Sequence, residues 1–269
     1  MSYRVILSLF LMAVGVLGAP ADSPSDAEKT PVSLTKALPE YQLLEKARSA
    51  NSGVYSLLKS FVCREEIERF KGDLRGSKSR SVDHVSTNLS FENGIEHYTD
   101  IRQNERSRSS LSDIAGAWSE GEFGTLLQQT ERLLEVQPVS FVEFTQLAGK
   151  AAAIYRFTVM ESESPWDLSV GTQHYRIPFT TDVWISSDSG EIVKISRKSL
   201  SIPEETRISE IDWNVTLRAV DLSGTTWLLP TEAGYSVSYA ESKRREWNQM
   251  SFSNYRRYGS ESSLKFNGF

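Results

Sequence analysis

Hydrophobic side chains alternate with polar ones along most of the chain from Phe61 onward. The clearest run covers residues 211–218, where Ile, Trp, Val and Leu at the odd positions are separated by Asp, Asn, Thr and Arg. A period of two places successive side chains on opposite faces of a β-strand. Turn sequences such as Ser187–Gly190 and Asp221–Gly224 separate these runs, and residues 161–172 are predicted to form an exposed loop that carries Trp166. The pattern predicts about ten antiparallel strands and argues against a sheet built from alternating strands and helices.

The Asn93-Gly94 dipeptide predicts a two-residue hairpin turn and with it a pairing register. Both residue types accept the positive φ angles that such a turn requires. A two-residue loop pairs Ser90 with His97. His84 then lies six residues further along the same strand, about 20 Å away at about 3.3 Å per residue. The two histidines therefore cannot share a metal ion.

Two segments have the apolar spacing of helices instead. Residues 43–61 carry an apolar residue at every third or fourth position, which predicts a helix over about 39–59 with Pro39 in its first turn. A second helix is predicted over about 120–134, because Ser119 and Glu122 have capping-box spacing. A long antiparallel meander twists and curls, so its concave face must be filled or covered. The predicted fold is therefore α+β and mostly antiparallel, with two amphipathic helices covering a strongly curved sheet.

The first 21 residues have the layout of a secretory signal peptide. Arg4 precedes an apolar run over residues 5–17, and Ala19-Pro20-Ala21 has the small-x-small pattern of a cleavage site. Residues 22–38 are rich in Pro, Ser and Asp, which predicts a disordered tether. We therefore expect an exported chain, periplasmic or extracellular and soluble after cleavage, with a single folded domain over residues 39–269.

The net charge restricts the possible partners, and the cysteine content restricts the covalent bonds that can stabilise the fold. The formal net charge of −5 argues against nucleic acid as the main partner. Cys63 is the only cysteine, so the chain has no internal disulfide and must rely on its core. We interpret Cys63 as a small apolar residue that enters a strand, rather than as a reactive thiol.

Several stretches resemble the periplasmic lipoprotein carriers of the LolA and LppX type. They are Val-Trp-Ile at 183–185, Ser-Gly-Glu-Ile-Val-Lys-Ile at 189–195 and Thr-Trp-Leu-Leu-Pro at 226–230. The stretches 51–65 and 252–263 are similar to exported bacterial proteins of this build. The resemblance implies an incomplete β-barrel whose helices cover an apolar cavity, and a ligand that is a lipid or a lipidated protein. It assigns no family role to any residue of this chain.

No catalytic constellation is recognisable. The chain has no Gly-x-Ser-x-Gly elbow, and its three histidines, His84, His97 and His174, are interpreted as surface residues. Acidic pairs such as Glu65-Glu66 and Glu204-Glu205 are interpreted as solvated strand faces rather than as the acids of a glycosidase. We therefore expect a protein that is not an enzyme and that uses no metal and no cofactor.

Aromatic residues give the strongest functional indication. They recur in successive predicted strands, and some of them must lie on the concave face of a curved sheet. The predicted ligand cavity and its lid consist of Phe123, Leu126, Leu127, Trp184, Trp213, Tyr235, Tyr239 and Phe252. A packed core under the helices is the other interpretation of the same residues.

Two functions remain open from the sequence. The first is a binding protein with a carrier-like cavity for a lipid, a lipidated protein or another apolar ligand. The second is an envelope interaction or sensing module with a filled core, which uses its sheet edge or loops. Basic clusters at 64–80 and 102–108 are interpreted as exposed strand ends, with transient contact to a membrane or an envelope protein as the functional alternative. An open or a packed space beneath the helix at 120–134 would distinguish the two functions.

Overall fold

The computed structural model describes residues 5–9, 38–53, 58, 61–74, 78–92 and 94–257. The predicted tether, apart from Leu38, and most of the predicted leader lie outside these residues. Within the described parts of the chain, no helix is both long and apolar enough to cross a membrane.

The described residues form fifteen strands and two α-helices. In chain order these are β1 (Val5–Leu9), α1 (Pro39–Asn51), β2 (Phe61–Asp73), β3 (Ser79–Glu92), β4 (Ile95–Gln103), β5 (Arg106–Ser107), β6 (Ala117–Ser119), α2 (Thr125–Val136), β7 (Ser140–Leu147), β8 (Lys150–Val159), β9 (Trp166–Val170), β10 (Gln173–Arg176), β11 (Phe179–Ser186), β12 (Ile192–Ser199), β13 (Ile208–Leu222), β14 (Thr225–Tyr239) and β15 (Arg244–Arg257).

One sheet of eleven strands makes up most of the fold. Its spatial order is β5-β4-β3-β2-β15-β14-β13-β12-β11-β8-β7, and every neighbouring pair is antiparallel. The last strand, β15, returns to lie beside β2. The sheet is curved but does not close into a barrel. The predicted fold class, an incomplete barrel with two helices, is confirmed.

The predicted hairpin around Gly94 is also confirmed in its register. Ser90 lies opposite His97, and Leu89 lies opposite Tyr98. Asn93 itself lies outside the described residues. Turn chemistry alone was sufficient for this register, because a two-residue loop leaves only one pairing for the strands that flank it.

A second, four-stranded sheet has the order β10-β9-β1-β6. The sequence suggested an exposed loop over residues 161–172, which is wrong: residues 166–170 form β9, and the Trp166 side chain is fully buried. The reason is visible in the sequence, since Trp166 and Leu168 alternate with two polar residues. Strand β1 pairs with both β9 and β6 and lies within the predicted leader. Cleavage after Ala21 would remove this strand.

Helix α1 begins at Pro39, as predicted, but it ends at Asn51 rather than near residue 59. Gly53 follows with a φ of +81°, the left-handed conformation in which helices commonly stop. The Asn51 side chain donates to the Gly190 carbonyl at 2.9 Å and accepts from the Ile192 N–H at 2.9 Å. This residue therefore attaches the end of α1 to the turn between β11 and β12.

Helix α2 begins at Thr125, five residues later than predicted. Ser119 donates a side-chain hydrogen bond to Glu122, so the two residues of the expected capping box do contact each other. They lie before the helix, however, because Gly121 has a φ of +111° and interrupts the helical backbone. Gly124 occupies the N-cap position without a side chain to cap the helix.

The buried apolar side chains form one continuous cluster that runs from Leu43 on α1 to Tyr255 on β15. It includes the inner face of the large sheet and the apolar face of α2. Cys63 belongs to it and is only 3% exposed. Burial raises the pKa of the Cys63 thiol, which keeps it protonated. The interpretation of Cys63 as a small buried residue is confirmed.

Candidate ligand-binding site

The space between α2 and the large sheet is packed. Six of the eight predicted cavity residues lie there, each 5% exposed or less: Phe123, Leu126, Leu127, Trp213, Tyr235 and Phe252. The Phe123 ring centroid lies 6.2 Å from that of Phe252 and 6.1 Å from that of Tyr255. The aromatic residues therefore meet as core between the helix and the sheet.

The other two predicted cavity residues lie elsewhere. Trp184 points to the face opposite its fully buried neighbours Val183 and Ile185, and Lys194 Nζ lies 4.7 Å from its ring centroid. Tyr239 is on the inner face but only half-buried, at the edge of the core. Strand alternation explains Trp184, because a residue between two inward side chains must point outward.

A cleft of about 1040 Å³ opens beside the packed region. It is lined by residues from 47–53 at the end of α1, from 128–137 along α2, and from 162–176 around β9 and β10. Its volume is at the upper end of the range of about 300–1,000 Å³ for small-molecule sites. The cleft is thus large enough to hold a ligand, and it lies along the C-terminal part of α2, away from the packed Phe123 end.

The cleft combines an apolar floor with charged walls. Ala47, Leu133 and Leu134 contribute buried side chains to its lining. On the walls, Arg48 Nε donates to the Leu134 carbonyl at 3.0 Å. His174 is a surface residue, as the sequence indicated, and its Nδ1 atom lies 2.9 Å from an oxygen of Asp167. The arrangement suits a ligand that has both an apolar chain and a polar end.

Gln129 on α2 connects the cleft to a buried arginine on β12. It lines the cleft and is 7% exposed, and its Oε1 atom accepts a hydrogen bond from Arg197 Nη1 at 3.2 Å. Arg197 has no exposed surface, and Nε makes a longer contact of 3.4 Å with the Thr181 hydroxyl. Its guanidinium lies among three aromatic rings, 4.0 Å from the centroid of Phe179 and 5.7 Å from that of Trp166.

The N-terminus of α2 is held by a carboxylate from another part of the chain, Glu96 on β4. Its Oε1 atom accepts from the backbone N–H groups of Phe123 and Gly124 at 3.0 and 2.9 Å. Its Oε2 atom accepts from the Gly121 N–H at 3.2 Å and from the Tyr98 hydroxyl at 2.6 Å. A negative charge at this end also suits the helix dipole. Glu96 therefore replaces the cap that α2 lacks in its own sequence.

Two further carboxyl groups are buried close to Glu96. Burial raises the pKa of Glu122 from its ordinary value of 4.5 to about 8, and the charge of Glu96 adds to this effect. Burial also raises the pKa of Glu65 well above its ordinary range, with Glu122 as the next cause. Glu65 lies on the inner face of β2, which corrects its interpretation as part of a solvated strand face. Both groups are therefore neutral in the folded protein at mildly acidic pH.

Histidines and acids do not gather into a metal site in the described part of the chain. His84 Nε2 lies 2.7 Å from an oxygen of Glu66, and both side chains are partly exposed. Neither this pair nor His174–Asp167 has a third ligand of the kind that a structural zinc site uses.

Sequence reasoning missed Arg197, Glu96 and Gln129. Arg197 carried a usable signal, because it occupies an inward position of β12 between Ile195 and Ser199, where a charged residue is unusual. Glu96 offered no such signal, since the backbone N–H groups that it binds lie more than twenty residues away in sequence. Gln129 lies on a helix face whose neighbours depend on how α1 and α2 pack together.

Comparisons with known proteins give weak likenesses. No family model matches the chain. No curated protein matches it either. Among solved structures, the fold is similar to an outer membrane lipoprotein-sorting protein domain from Vibrio parahaemolyticus, with 10% identity and a TM-score of 0.41 over 86% of this chain and 96% of that one. It is also similar to a DUF1329 family protein from Desulfovibrio piger, with 9% identity and a TM-score of 0.39 over 82% of this chain and 94% of that one.

The first of these structures is described as a lipoprotein-sorting domain, and the sequence stretches discussed above resemble lipoprotein carriers. Identities and TM-scores this low carry no argument about function, and no residue role is transferred from either protein.

Proposed function

We propose that this protein is an exported, non-enzymatic binding protein that holds an apolar or amphiphilic ligand, such as a lipid or the acyl chains of a lipoprotein. The observation that supports this function is the cleft of about 1040 Å³ between α1, α2 and the segment around β9 and β10, none of whose lining residues belongs to the leader. The proposal differs from the sequence-based hypothesis in its location, because the space beneath α2 is packed. The ligand would lie beside the C-terminal part of α2, next to the end of α1, rather than between Phe123 and the large sheet.

The lining of the cleft favours an amphiphile. Leu133 and Leu134 on its floor offer the apolar contact that an acyl chain needs, and burying such a chain contributes about 0.8 kcal/mol per CH₂ group. Charged side chains, among them Arg48 and Asp167, surround the opening. A wholly apolar ligand would make no hydrogen bond with these groups, whereas a polar head would.

Titration with a fluorescent fatty acid tests the proposal. We expect cis-parinaric acid to bind with an increase in fluorescence. Gln128, half-buried on α2, lines the cleft, so Gln128→Trp should fill part of it and weaken binding by about tenfold or more. Gln146→Trp is the matched control, because Gln146 is exposed on β7, outside the cleft. Equal binding by both variants would place the ligand elsewhere, and no binding by the unmodified protein would refute the proposal.

Absence of catalysis is the second part of the proposal. The buried carboxyl groups of Glu65 and Glu122 lie beneath the N-terminus of α2, and neither of them lines the cleft. The His174–Asp167 pair does line the cleft, and the Ser169 hydroxyl lies 3.1 Å from the histidine, but Ser169 and Asp167 both contact the same ring nitrogen, Nδ1, whereas a catalytic triad uses one nitrogen for each partner. We expect no turnover of p-nitrophenyl acyl esters; hydrolysis that disappears in His174→Ala would show that the protein is an enzyme.

An envelope interaction module is the alternative function, and the edge strand β7 favours it. Phe141, Val142 and Phe144 on this strand are 36%, 40% and 55% exposed. An edge strand also presents unpaired backbone groups, to which an extended segment of another protein can add as a further strand. A photo-crosslinking residue at position 144 should then capture an envelope protein that one at exposed Arg218 does not. Identical products from both positions would remove this alternative.

A further inference from the structure

Arg197 is a buried charge without a countercharge. Arg69 and Arg197 are the two buried arginines in the described part of the chain. Arg69 makes a bidentate pair with the carboxylate of Asp83, at 2.6 and 2.9 Å. Arg197 has only the neutral oxygens of Gln129 and Thr181. Burying a charge without a carboxylate or another anion beside it is costly. Asp83 offsets this cost for Arg69, whereas no anion among the described residues does so for Arg197.

The surroundings of Arg197 contain several buried donors and too few acceptors. Four of the buried nitrogen atoms without a hydrogen-bond partner in the described part of the chain belong to Arg197 and its neighbours: Arg197 Nη2, Gln129 Nε2, Trp166 Nε1 and Trp213 Nε1. Their side chains are neighbours, since the Arg197 guanidinium lies within 6 Å of both indole rings, and the ring centroids of Trp166 and Trp213 are 6.2 Å apart.

The chemical character of these atoms restricts what can satisfy them. All four are donors, and leaving a buried donor unsatisfied destabilises the protein, more strongly where the group is charged. A hydroxyl group or an amide would bring a donor of its own. A group with several acceptor oxygens and a negative charge satisfies both the donors and the guanidinium, as Asp83 does for Arg69.

Gln129 gives such a group a route from the cleft. Its side chain separates the cleft from Arg197 and already places one oxygen, Oε1, on the guanidinium. An amide and a carboxylate have the same planar shape and nearly the same size. A carboxylate that enters from the cleft can therefore take the position of the Gln129 amide once this side chain turns away.

We propose that Arg197, Trp166 and Trp213 form a binding site for the oxyanion head of an acyl amphiphile whose chain lies in the cleft. The Gln129 side chain turns away when the head binds. The site rests on the proposed function, and it narrows the ligand to an acidic amphiphile with a carboxylate or phosphate head. Burial lowers the pKa of Arg197 to about 9, so the guanidinium is still charged at neutral pH and available to an anion.

The first test compares acidic and neutral ligands on the unmodified protein. We expect cis-parinaric acid to bind more tightly than its methyl ester by about 30-fold, the effect of one buried charge-assisted pair. Lysophosphatidic acid and monoacylglycerol, added as competitors, repeat the comparison for a phosphate head. Preference for the acid in either series supports the site and identifies the head group. Equal affinities in both series would overturn it.

The second test removes the charge. Arg197→Met keeps a long side chain among the aromatic rings and should abolish the preference for the acid while the methyl ester binds as before. Arg132→Met is the matched control, because Arg132 is exposed and lines the same cleft. It should change the affinity for the acid by less than about fivefold. A loss of preference in the control but not in Arg197→Met would place the anion on the wall of the cleft and overturn the proposal.

The third test supplies the anion internally and does not depend on removing a buried residue. Gln129→Glu places a carboxylate where the amide oxygen contacts Arg197, so it should raise the midpoint of thermal unfolding and remove the preference for acidic ligands. A lower midpoint together with an unchanged preference would show that Arg197 does not accept a carboxylate.

The outcomes also separate this inference from the proposed function. If the methyl ester binds but the acid is not preferred, the cleft holds an apolar ligand and the oxyanion site fails alone. If neither probe binds, the proposed function fails; stabilisation by Gln129→Glu would then still support an anion site at Arg197.

Discussion

Glu122 makes the stability of this protein depend on pH in an unusual direction. Its carboxyl group is 2% exposed, and its pKa rises from 4.5 to about 8, first because of burial and then because of the charge of Glu96. Between these two pH values the folded state holds a proton that the unfolded chain releases. The folded protein therefore becomes less stable as the pH rises through this window, and the full stability is present below pH 4.5.

The two pKa values for Glu122 differ by about 3.5, which corresponds to roughly 5 kcal/mol at about 1.36 kcal/mol per pKa unit. Glu122→Gln replaces the carboxyl group by a neutral group of the same shape, so it should behave like the protonated wild type at every pH. We expect the variant to match the wild type near pH 4.5. At pH 8.5 it should be more stable by about 3–5 kcal/mol.

Urea unfolding followed by far-ultraviolet circular dichroism, repeated between pH 4.5 and 8.5, measures this difference. Glu135→Gln is the matched control, because Glu135 is exposed on the same helix. Its stability should follow the wild-type curve. If Glu122→Gln and the wild type lose stability in parallel over this range, Glu122 does not carry the buried proton, and another group causes the loss of stability.

Three further outcomes are expected. Mass spectrometry of the protein recovered from its native host should give an N-terminus near Asp22, and a cytoplasmic chain that retains Met1 would contradict export. Leu127→Asp should destabilise the whole domain by about 3–5 kcal/mol, because Leu127 is 2% exposed in the packed core and the new charge has no partner. Loss of α2 alone, with an intact sheet, would show instead that the helix is a separable lid. Cys63→Ala should cost about 1–2 kcal/mol, and reductant should not change the stability of the wild type, since Cys63 is a free thiol.

Local patterns predicted the sheet well. The pairing of Ser90 with His97 followed from one dipeptide, and residues 211–218 form part of β13 as their alternation indicated. These features depend only on side-chain direction and turn geometry, which neighbouring residues determine. The start of α1 at Pro39 belongs to the same class, because proline fits the first turn of a helix without losing a hydrogen bond.

Features that depend on distant parts of the chain could not be predicted in this way. The start of α2 is shifted because Glu96, on another strand, binds the N–H groups that a local cap would have held. The sequence left both a cavity and a packed core under α2 open, since the same aromatic stripe suits a filled or an open interior. Arg197 could have been singled out by its inward position, but its lack of a countercharge depends on four different segments of the chain.

Because Glu96 supplies the cap of α2, we expect the parts of the fold to form in a definite order. The helix has no side-chain cap and no acidic residue in its first turn, so its own sequence does little to start it. Glu96 reaches it only from β4, which is positioned by pairing with β3. We therefore expect the β3–β4 hairpin to form before the helix during refolding. In pulse-labelling hydrogen exchange, amides of α2 should become protected no earlier than those of β4; earlier protection of the helix would show that it forms without the hairpin.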